Sequence, residues 1–451
     1  MNYMNLIEEL APLNRCHNGP EMHSAYERLI EYYGGATLVK TEPKKSVNKW
    51  KVPPYWICNT GKLIGPNGKI VADAKRSWLE IFSYSPKIKK RVTREELENH
   101  LSYDVNRPKD ICFHFRNQYR HWEREWGFCV SYETYKELEH GEYTVDIDSS
   151  FDDSKCMVQA EYIHQGELED AYLFVGHFDH PAQVNDGLAG VIASFEIIKR
   201  LKEKKTKYTY IAFASVEIVG SVFFLDEKIQ SRKIREALFL GFSGINSEMI
   251  YQQSFNKRSR IDKIIKYLLK LRGLENNIYN HREKIGNDEN VFDSNGYEIP
   301  TGTLMRWPFD QYHSDKDNTE ITYVESIEEQ IEIGLKIIEI LEKDQIIEGK
   351  YDGLVCLSNP EINLYISPNM VSNIEQSQDQ VITKLDDGLS QSEKNYVHEN
   401  GHKLNQLMQN ILRMSKSEAT ILDIAMMSEM PFMLVYNYAK QLENKGILCL
   451  K

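Results

Sequence analysis

The sequence predicts an α/β protein in which a mostly parallel or mixed sheet is flanked by helices. Three apolar runs of strand length support this, at residues 171–175, 208–214 and 237–242. Runs with helical spacing of apolar residues follow the first two of them. Because strands alternate with helices along the chain, we expect a mostly parallel sheet with helices on both faces.

Residues 1–50 and 130–350 are expected to form this α/β domain. The segment 21–33 has apolar or aromatic residues on one helix face, and the Gly34-Gly35 pair ends it. A long amphipathic helix at 323–341 is expected to close the domain.

Residues 51–129 are predicted to form an inserted β-rich domain. Short strand-like runs begin after Pro53, and Pro66-Asn67-Gly68 between two of them indicates a hairpin. The stretch 113–128 is dense in aromatic and cationic side chains. It is expected to form the aromatic core of this domain. A lid role, with Arg, His or Tyr side chains reaching over a site on the sheet, is compatible with that.

The end of the chain is predicted to form a small helical unit. Residues 351–400 are expected to be a linker, and they are rich in Ser, Gln and Asp at 372–394. Three helices followed by a strand predict a winged-helix domain at 401–451, with these elements at 405–412, 417–425, 431–444 and 446–450. The third helix offers few cations for phosphate, so a packing or protein-contact role is favoured over DNA binding.

The composition limits the classes of function. The 451 residues are 41% hydrophobic and 27% charged, which gives room for two or three domains. The net charge of −12 argues against a nucleic-acid partner. The 7 cysteines lack paired spacing, which indicates free thiols in a reducing compartment, so we expect a cytoplasmic protein. With no run of about 18 apolar residues and no signal-peptide pattern, neither a membrane span nor a secretory signal is expected.

An imidazole and a carboxylate follow the first predicted strand. His177 ends this strand, and Asp186 lies nine residues further on, before a helix. Alone, each has an ordinary interpretation as a polar strand end or a helix cap. However, open α/β sheets bind ligands at the carboxyl ends of their strands, and this pair suits a divalent metal, most plausibly zinc. Asp179 can accept the other ring proton of His177 and fix its tautomer.

Two further loops carry candidate groups. Glu217 follows the strand at 208–214, and His313 follows the strand-like run at 299–306. Asp317 is a second carboxylate partner for an imidazole ligand. Glu217 or His313 alone could be a surface residue. Because three strand-ending loops each bring one such group to the same edge of a parallel sheet, we expect them to meet there.

These motifs resemble, in their order, the co-catalytic zinc exopeptidases of the aminopeptidase and glutamate-carboxypeptidase type. The matching segments are His177-Phe-Asp179, Asn185-Asp186-Gly187, Glu217 to Ser221, Asn287 to Phe292 and His313 to Asp317. The resemblance implies that His177 is a zinc ligand oriented by Asp179. It implies that Asp186 bridges two zinc ions, and that His313 completes the second of them.

More closely, the chain resembles a bacterial branch of aminopeptidase-like proteins with an inserted β domain and a C-terminal winged helix, sometimes associated with polysaccharide biosynthesis. The segments Asn14-Arg15, Trp126 to Cys129 and Leu304-Met-Arg306 fit that branch. The residues expected to bind substrate are Arg306, Asp288 and Tyr312. Arg306 could pair with a substrate carboxylate if it faces the cleft, and a surface arginine is the alternative.

The sequence departs from this family at Glu217. Its neighbours Val216 and Ile218 are apolar where the family has paired glutamates. Glu217 must therefore serve both as the catalytic base and as a metal ligand, or one of these two roles is lost. We expect one well-formed zinc site, with a second site weak or absent, and the ligands of the first are His177, Asp186 and His313.

The leading functional hypothesis is a zinc-dependent hydrolase of the aminopeptidase type, holding one or two zinc ions. It would cleave a peptide or amide bond in a small peptide or an amino-acylated sugar by metal-activated water, with Glu217 as general base. Two alternatives stay open. One is a degenerate homologue that binds metal or ligand without turnover, and the other is a regulator that uses the winged helix. Assembly into a homo-oligomer is also left open.

Overall fold

The computed structural model describes residues 2–228, 233–367 and 385–451. These residues form two compact units. The first unit is Met1–Asp262 with Asn277–Gly334, and the second is Lys263–Asn276 with Leu335–Lys451. Most of the polar stretch predicted at 372–394 lies outside the described residues.

The strands and helices of the described residues have the following bounds. The strands are β1 (Thr37–Thr41), β2 (Ser46–Val47), β3 (Trp50–Lys51), β4 (Tyr55–Ile64), β5 (Ile70–Asp73), β6 (Ile88–Thr93), β7 (Leu101–Ser102), β8 (Phe128–Cys129), β9 (Glu142–Asp152), β10 (Met157–His164), β11 (Asp170–His177), β12 (Thr209–Ser215), β13 (Lys233–Gly241), β14 (Glu248–Gln252), β15 (Ile278–Tyr279), β16 (Thr301–Trp307), β17 (Ile347–Gly349) and β18 (Leu448–Leu450). The helices are α1 (Tyr3–Leu10), α2 (Pro20–Tyr33), α3 (Arg94–Leu97), α4 (Arg116–Tyr119), α5 (Tyr132–Lys136), α6 (Leu188–Lys199), α7 (Val219–Lys228), α8 (Arg260–Leu271), α9 (Glu289–Phe292), α10 (Val324–Lys343), α11 (Gln391–Glu399), α12 (Leu404–Met414), α13 (Ile421–Ser428) and α14 (Phe432–Asn444).

An eight-stranded mixed sheet is the centre of the first unit. Its strand order is β1-β10-β12-β11-β13-β16-β14-β15. The four central strands, β12, β11, β13 and β16, are parallel to one another, and antiparallel pairs flank them. The predicted α/β class with a mixed sheet is therefore confirmed.

Helices cover this sheet on both faces. Alternate residues of β11, at 171, 173 and 175, belong to a buried core that includes residues of α7. On the opposite face α6 contacts β11, β12 and β13. Gly176 allows this close approach, because a Cβ there would lie 2.7 Å from the backbone nitrogen of Val191.

A second, four-stranded sheet lies in the region predicted as an inserted β-rich domain. Its order is β5-β4-β9-β6, and all its pairs are antiparallel. Trp56, Tyr84, Trp126 and Phe128 are among the residues of its buried core. Because β9 ends at Asp152, strands that the prediction divided between 51–129 and 130–350 share one sheet. The domain assignment itself stays a prediction.

The second unit contains the C-terminal helices and a two-stranded antiparallel sheet of β17 and β18. The helix predicted at 417–425 begins only at Ile421. The reason is a capping box, in which the Thr420 side chain accepts from the Asp423 amide and the Asp423 side chain accepts from the Thr420 amide. The winged-helix assignment stays a prediction. Within the described residues, no helix is both long and apolar enough to cross a membrane.

Candidate metal centre

Three loops meet at one edge of the large sheet. They follow the parallel strands β11, β12 and β16, and they carry His177, Glu217 and His313. The carboxyl ends of parallel strands lie at the same edge, where α/β sheets bind ligands. The convergence expected from the sequence is therefore present in the fold.

Asp186 is the point on which three imidazoles converge. His177 Nε2 lies 3.2 Å from Asp186 Oδ1. His180 Nδ1 and His313 Nε2 lie 3.2 Å and 2.9 Å from Asp186 Oδ2. Four tetrahedral ligands that bind zinc at about 2.0–2.1 Å are separated from one another by roughly 3.3 Å. Each of the three imidazole–carboxylate distances is close to this value, and the donor atoms of His177, His180 and Asp186 all lie within 4.8 Å of one another.

Several of these atoms are buried without a hydrogen bond. His177, His180 and Asp186 are almost fully buried. Among the described residues, His180 Nδ1, Asp186 Oδ2 and His313 Nε2 face one another as ion pairs but form no well-aligned hydrogen bond. Buried polar atoms without well-aligned hydrogen bonds cost free energy, so native proteins rarely keep several together. Imidazole and carboxylate donors suit zinc, and a cation among them would satisfy these atoms.

The charges of the cluster reinforce one another. Burial raises the pKa of Asp186, but the neighbouring imidazoles of His180 and His177 outweigh it and hold that pKa well below its usual range. Burial lowers the pKa of His180, but the carboxylates of Asp186 and Glu217 outweigh it and raise that pKa to about 10. Asp186 is therefore ionised, and a cation that binds here must displace protons from the imidazoles.

Asp179 lies beside the cluster, where the sequence analysis expected it. Its Oδ1 faces His177 Nδ1 at 3.6 Å and accepts a 2.9 Å hydrogen bond from the Glu217 amide. Its Oδ2 lies 3.1 Å from His17 Nε2. A carboxylate in this position fixes the orientation of the His177 ring. Asp179, His180 and Glu217 also form a second group of closely spaced donor atoms.

The backbone of the site is held in unusual conformations. His180, Ile218 and His313 have φ angles of 79°, 59° and 53°. This region is costly for residues other than glycine, above all for a β-branched one such as Ile218, and such residues occur preferentially at functional sites. Gly187 has φ 120°, and a Cβ there would lie 2.6 Å from His177 Nδ1. A side chain at this position would displace the imidazole.

Two buried charged residues support the loop after β11. Asp317 accepts hydrogen bonds from the backbone amides of Asn185 and Asp186, each at 2.8 Å. Burial raises the pKa of Asp317 to about 6. The guanidinium of Arg15 donates to backbone carbonyls of the same loop. Asp317 therefore positions Asp186 through its backbone, whereas the sequence analysis expected it to partner an imidazole.

The three residues expected to bind substrate are placed differently from one another. Tyr312 stacks on the His313 ring, with 3.8 Å between ring centroids. Asp288 is buried and accepts hydrogen bonds from Ser215 Oγ, the Ile218 amide and Ser221 Oγ, so it supports the loop beside Glu217.

Arg306 is not brought to the cluster. Its guanidinium donates to the carbonyl oxygens of Ser247 and Ser326 and to the carboxylate of Glu329. These partners bind both terminal nitrogens of the guanidinium, whereas its buried Nε has no hydrogen-bond partner among the described residues. The role of Arg306 in substrate binding stays a prediction.

Three further residues of the site, His180, His17 and Tyr119, were not among those named from the sequence. His180 is three positions beyond His177, in the loop that follows β11. A second imidazole in that loop could have been recognised from the sequence as a further candidate ligand. His17 and Tyr119 come from distant parts of the chain. Tyr119 donates a hydrogen bond to Glu217 Oε2. It belongs to the stretch 113–128, whose Arg, His or Tyr side chains the lid interpretation allows to reach a site on the sheet, but no spacing singles it out.

Comparison with known proteins shows what this chain is similar to. The family model for a domain of unknown function (DUF4910) matches residues 4–344. A protein of Clostridium acetobutylicum is 30% identical over 347 residues, which are 76% of this chain and 78% of the relative. Its name assigns it provisionally to polysaccharide biosynthesis and gives it an aminopeptidase-like domain.

Two solved structures share the fold. A crystal structure from Clostridium acetobutylicum, provisionally described as a peptidase, has a TM-score of 0.79 at 25% identity, covering 99% of this chain and 96% of that one. A zinc aminopeptidase from Bacillus subtilis has a TM-score of 0.51 at 12% identity, covering 75% of this chain and 94% of that one. The α/β fold is therefore that of zinc aminopeptidases.

Proposed function

This chain belongs to the DUF4910 family, and on that premise we propose that it is a zinc-dependent hydrolase of the aminopeptidase type. The bond cleaved is a peptide or amide bond in a small peptide or amino-acyl substrate. One observation carries the proposal, which is the convergence of three imidazoles on the buried carboxylate of Asp186. The relatives named as peptidases or aminopeptidase-like support a hydrolase.

The proposed metal site holds one zinc ion. Its ligands are His177 through Nε2, His180 through Nδ1, His313 through Nε2, and Asp186. His180 is added to the three ligands expected from the sequence, because its buried Nδ1 faces the Asp186 carboxylate at 3.2 Å. A bound zinc ion supplies a water of lowered pKa and polarises the scissile carbonyl.

The side chains around the proposed site transfer protons and keep the ligands in position. Glu217 is the general base, which takes a proton at a carboxylate oxygen and returns it to the leaving amine. Its side chain is 14% exposed, so it can reach both the buried cluster and solvent. Asp179 keeps the His177 ring in place at Nδ1, the ring nitrogen that does not face Asp186. The Asp288 carboxylate fixes the backbone of Ile218, next to Glu217.

A metal-binding homologue without turnover is the second candidate. Glu217 favours it, because this single carboxylate is already engaged by the Tyr119 hydroxyl and faces His180 Nε2 at 3.4 Å. A carboxylate held in this way at Oε2 can serve as a structural partner of an imidazole rather than as a base.

Zinc content and turnover together test these two candidates. The purified chain is loaded with zinc and assayed against a panel of aminoacyl p-nitroanilides, before and after chelation. We expect one zinc per chain, and hydrolysis that chelation abolishes and zinc restores. At saturating zinc, Glu217→Gln should retain the metal and lose turnover by about 10²-fold or more. The exposed Glu325→Gln is the control and should match the wild type.

The outcomes separate the candidates. Bound zinc with no turnover on any member of the panel supports the non-catalytic homologue. Turnover that persists after the zinc is removed, or a chain that binds no zinc, contradicts the proposal.

A further inference from the structure

Glu217 is held at one of its two oxygens. Its Oε2 accepts the hydrogen bond of the Tyr119 hydroxyl and lies 3.4 Å from His180 Nε2. In the described part of the chain, no residue hydrogen-bonds its Oε1. The neighbours Val216 and Ile218 are apolar, so this loop offers no second carboxylate. Glu217 is therefore the one acid of this loop, residues 216–218, that faces His180 Nε2. A residue that orients Glu217 also sets the position of this acid relative to His180.

Tyr119 reaches Glu217 from the region predicted as an insertion. It is the last residue of α4. Its ring lies edge-on to the His17 ring, with 5.0 Å between centroids, and it also contacts Phe115 at 6.3 Å. The ring is thus packed on two sides, which fixes the position of the hydroxyl.

The segment that carries Tyr119, residues 107–119, is also bound to the loop that carries His313. The Phe113 amide donates to the His313 carbonyl at 2.9 Å. The Asp315 amide donates to the Ile111 carbonyl at 3.0 Å, and the Ile111 amide donates to Asp315 Oδ1 at 2.8 Å. One short segment therefore fastens two of the loops that form the metal centre.

We propose that Tyr119 is a positioning residue of the metal centre, which holds Glu217 against the Nε2–H of His180. His180 Nδ1 faces Asp186, so Nε2 is the nitrogen that carries the proton when Nδ1 binds a metal ion. A carboxylate on that N–H fixes the tautomer and the ring orientation and raises the basicity of the ligand. This inference rests on the proposed function, because it requires a metal ion at Asp186.

The test measures zinc affinity rather than turnover. Loss of an outer-shell partner typically lowers metal affinity or activity by about 10–100-fold. Tyr119→Phe keeps the packed ring and removes the hydroxyl, and we expect its zinc dissociation constant to rise by about 10-fold in competition with a chromophoric chelator. Tyr135→Phe is the matched control, because this tyrosine donates to Glu98, in the same region and apart from the cluster. It should bind zinc as the wild type does.

A double-variant cycle shows whether Tyr119 acts through Glu217. Glu217→Gln should itself weaken zinc binding by about 10-fold, and adding Tyr119→Phe to it should weaken binding no further. Such non-additivity is expected of residues in one hydrogen-bond network, while a general loss of packing adds to other losses. Thermal unfolding of each variant reports whether it is folded.

Three results would overturn the inference. Wild-type zinc affinity in Tyr119→Phe is the first, and full additivity with Glu217→Gln is the second. The third is unchanged zinc affinity in Glu217→Gln alone. This result would contradict the inference even if Tyr119→Phe fails to fold. A wild-type chain that binds no zinc removes the proposed function and this inference together, whereas the three results leave the proposed function intact.

Discussion

Replacing Arg15 by leucine is predicted to destabilise the first unit by about 4 kcal/mol. The guanidinium is fully buried. It donates from Nε to the Phe178 carbonyl at 2.9 Å and from Nη2 to the carbonyls of His180, at 3.1 Å, and Gln183. Each buried carbonyl left without its donor costs about 1–3 kcal/mol. Nη1 also donates to the buried Leu10 carbonyl at 2.5 Å. The second lone pair of each carbonyl and entering water place the summed cost for these four carbonyls near its lower end.

The charge of Arg15 is part of the same calculation. Burial lowers the pKa of Arg15 to about 10, while the carboxylates of Asp317 and Asp179 act in the opposite direction. The guanidinium is therefore still charged at pH 7. Leucine removes the cost of burying that charge, which limits the net loss. Lysine keeps the charge without the planar set of donors, so Arg15→Lys should fall between leucine and the wild type.

Urea unfolding followed by tryptophan fluorescence measures this effect. Every tryptophan of the chain belongs to the first unit, at positions 50, 56, 78, 122, 126 and 307. Arg235→Leu is the control, because it removes an exposed ion pair with Asp170 and should cost about 1 kcal/mol or less. An Arg15→Leu variant within 1 kcal/mol of the wild type would refute the assigned role of these hydrogen bonds.

Other predictions concern the metal and the second unit. His180→Ala should weaken zinc binding by about 100-fold or more while the exposed His398→Ala does not, as measured by chelator competition; equal affinities would exclude His180 as a ligand. Zinc at about 100 times its dissociation constant should stabilise the first unit by about 2.7 kcal/mol in the fluorescence-detected urea transition, and no shift would contradict a site present only in the folded state. Hydrogen bonds from Lys270 and Lys403 lower the pKa of Glu429 to about 2, below its ordinary 4.5. The stabilisation from this lowered pKa is present above pH 4.5 and is lost as the pH falls toward 2. Glu429→Gln should therefore flatten the pH dependence of helix unfolding between pH 4.5 and 2, as measured by circular dichroism. An unchanged slope in the variant would contradict this prediction.

The α/β fold was predictable because its signals are local. The buried runs at 171–175 and 208–214 each fill a central strand, and the helical run after the first of them became α6. Because parallel strands place their carboxyl ends together, His177, Glu217 and His313 could be expected at one edge without knowledge of their contacts.

The rest of the site depends on contacts between distant residues. His17 and Tyr119 reach the cluster from segments more than 50 residues away, and only the aromatic and cationic density of 113–128 pointed toward Tyr119. Arg306 is a candidate through the segment Leu304-Met-Arg306 and only if it faces the cleft, and the partners of its terminal nitrogens, Glu329 and two carbonyls, are contacts that a sequence pattern does not reveal. The late start of α13 follows from side-chain capping at Thr420, which overrode the helical spacing before it.

The most direct test of the central claim is a crystal structure of the zinc-loaded chain, with anomalous scattering measured at the zinc edge. We expect a single strong anomalous peak beside Asp186, within bonding distance of His177, His180 and His313. A peak elsewhere, two peaks of equal strength, or imidazoles that leave the metal to other ligands would contradict it.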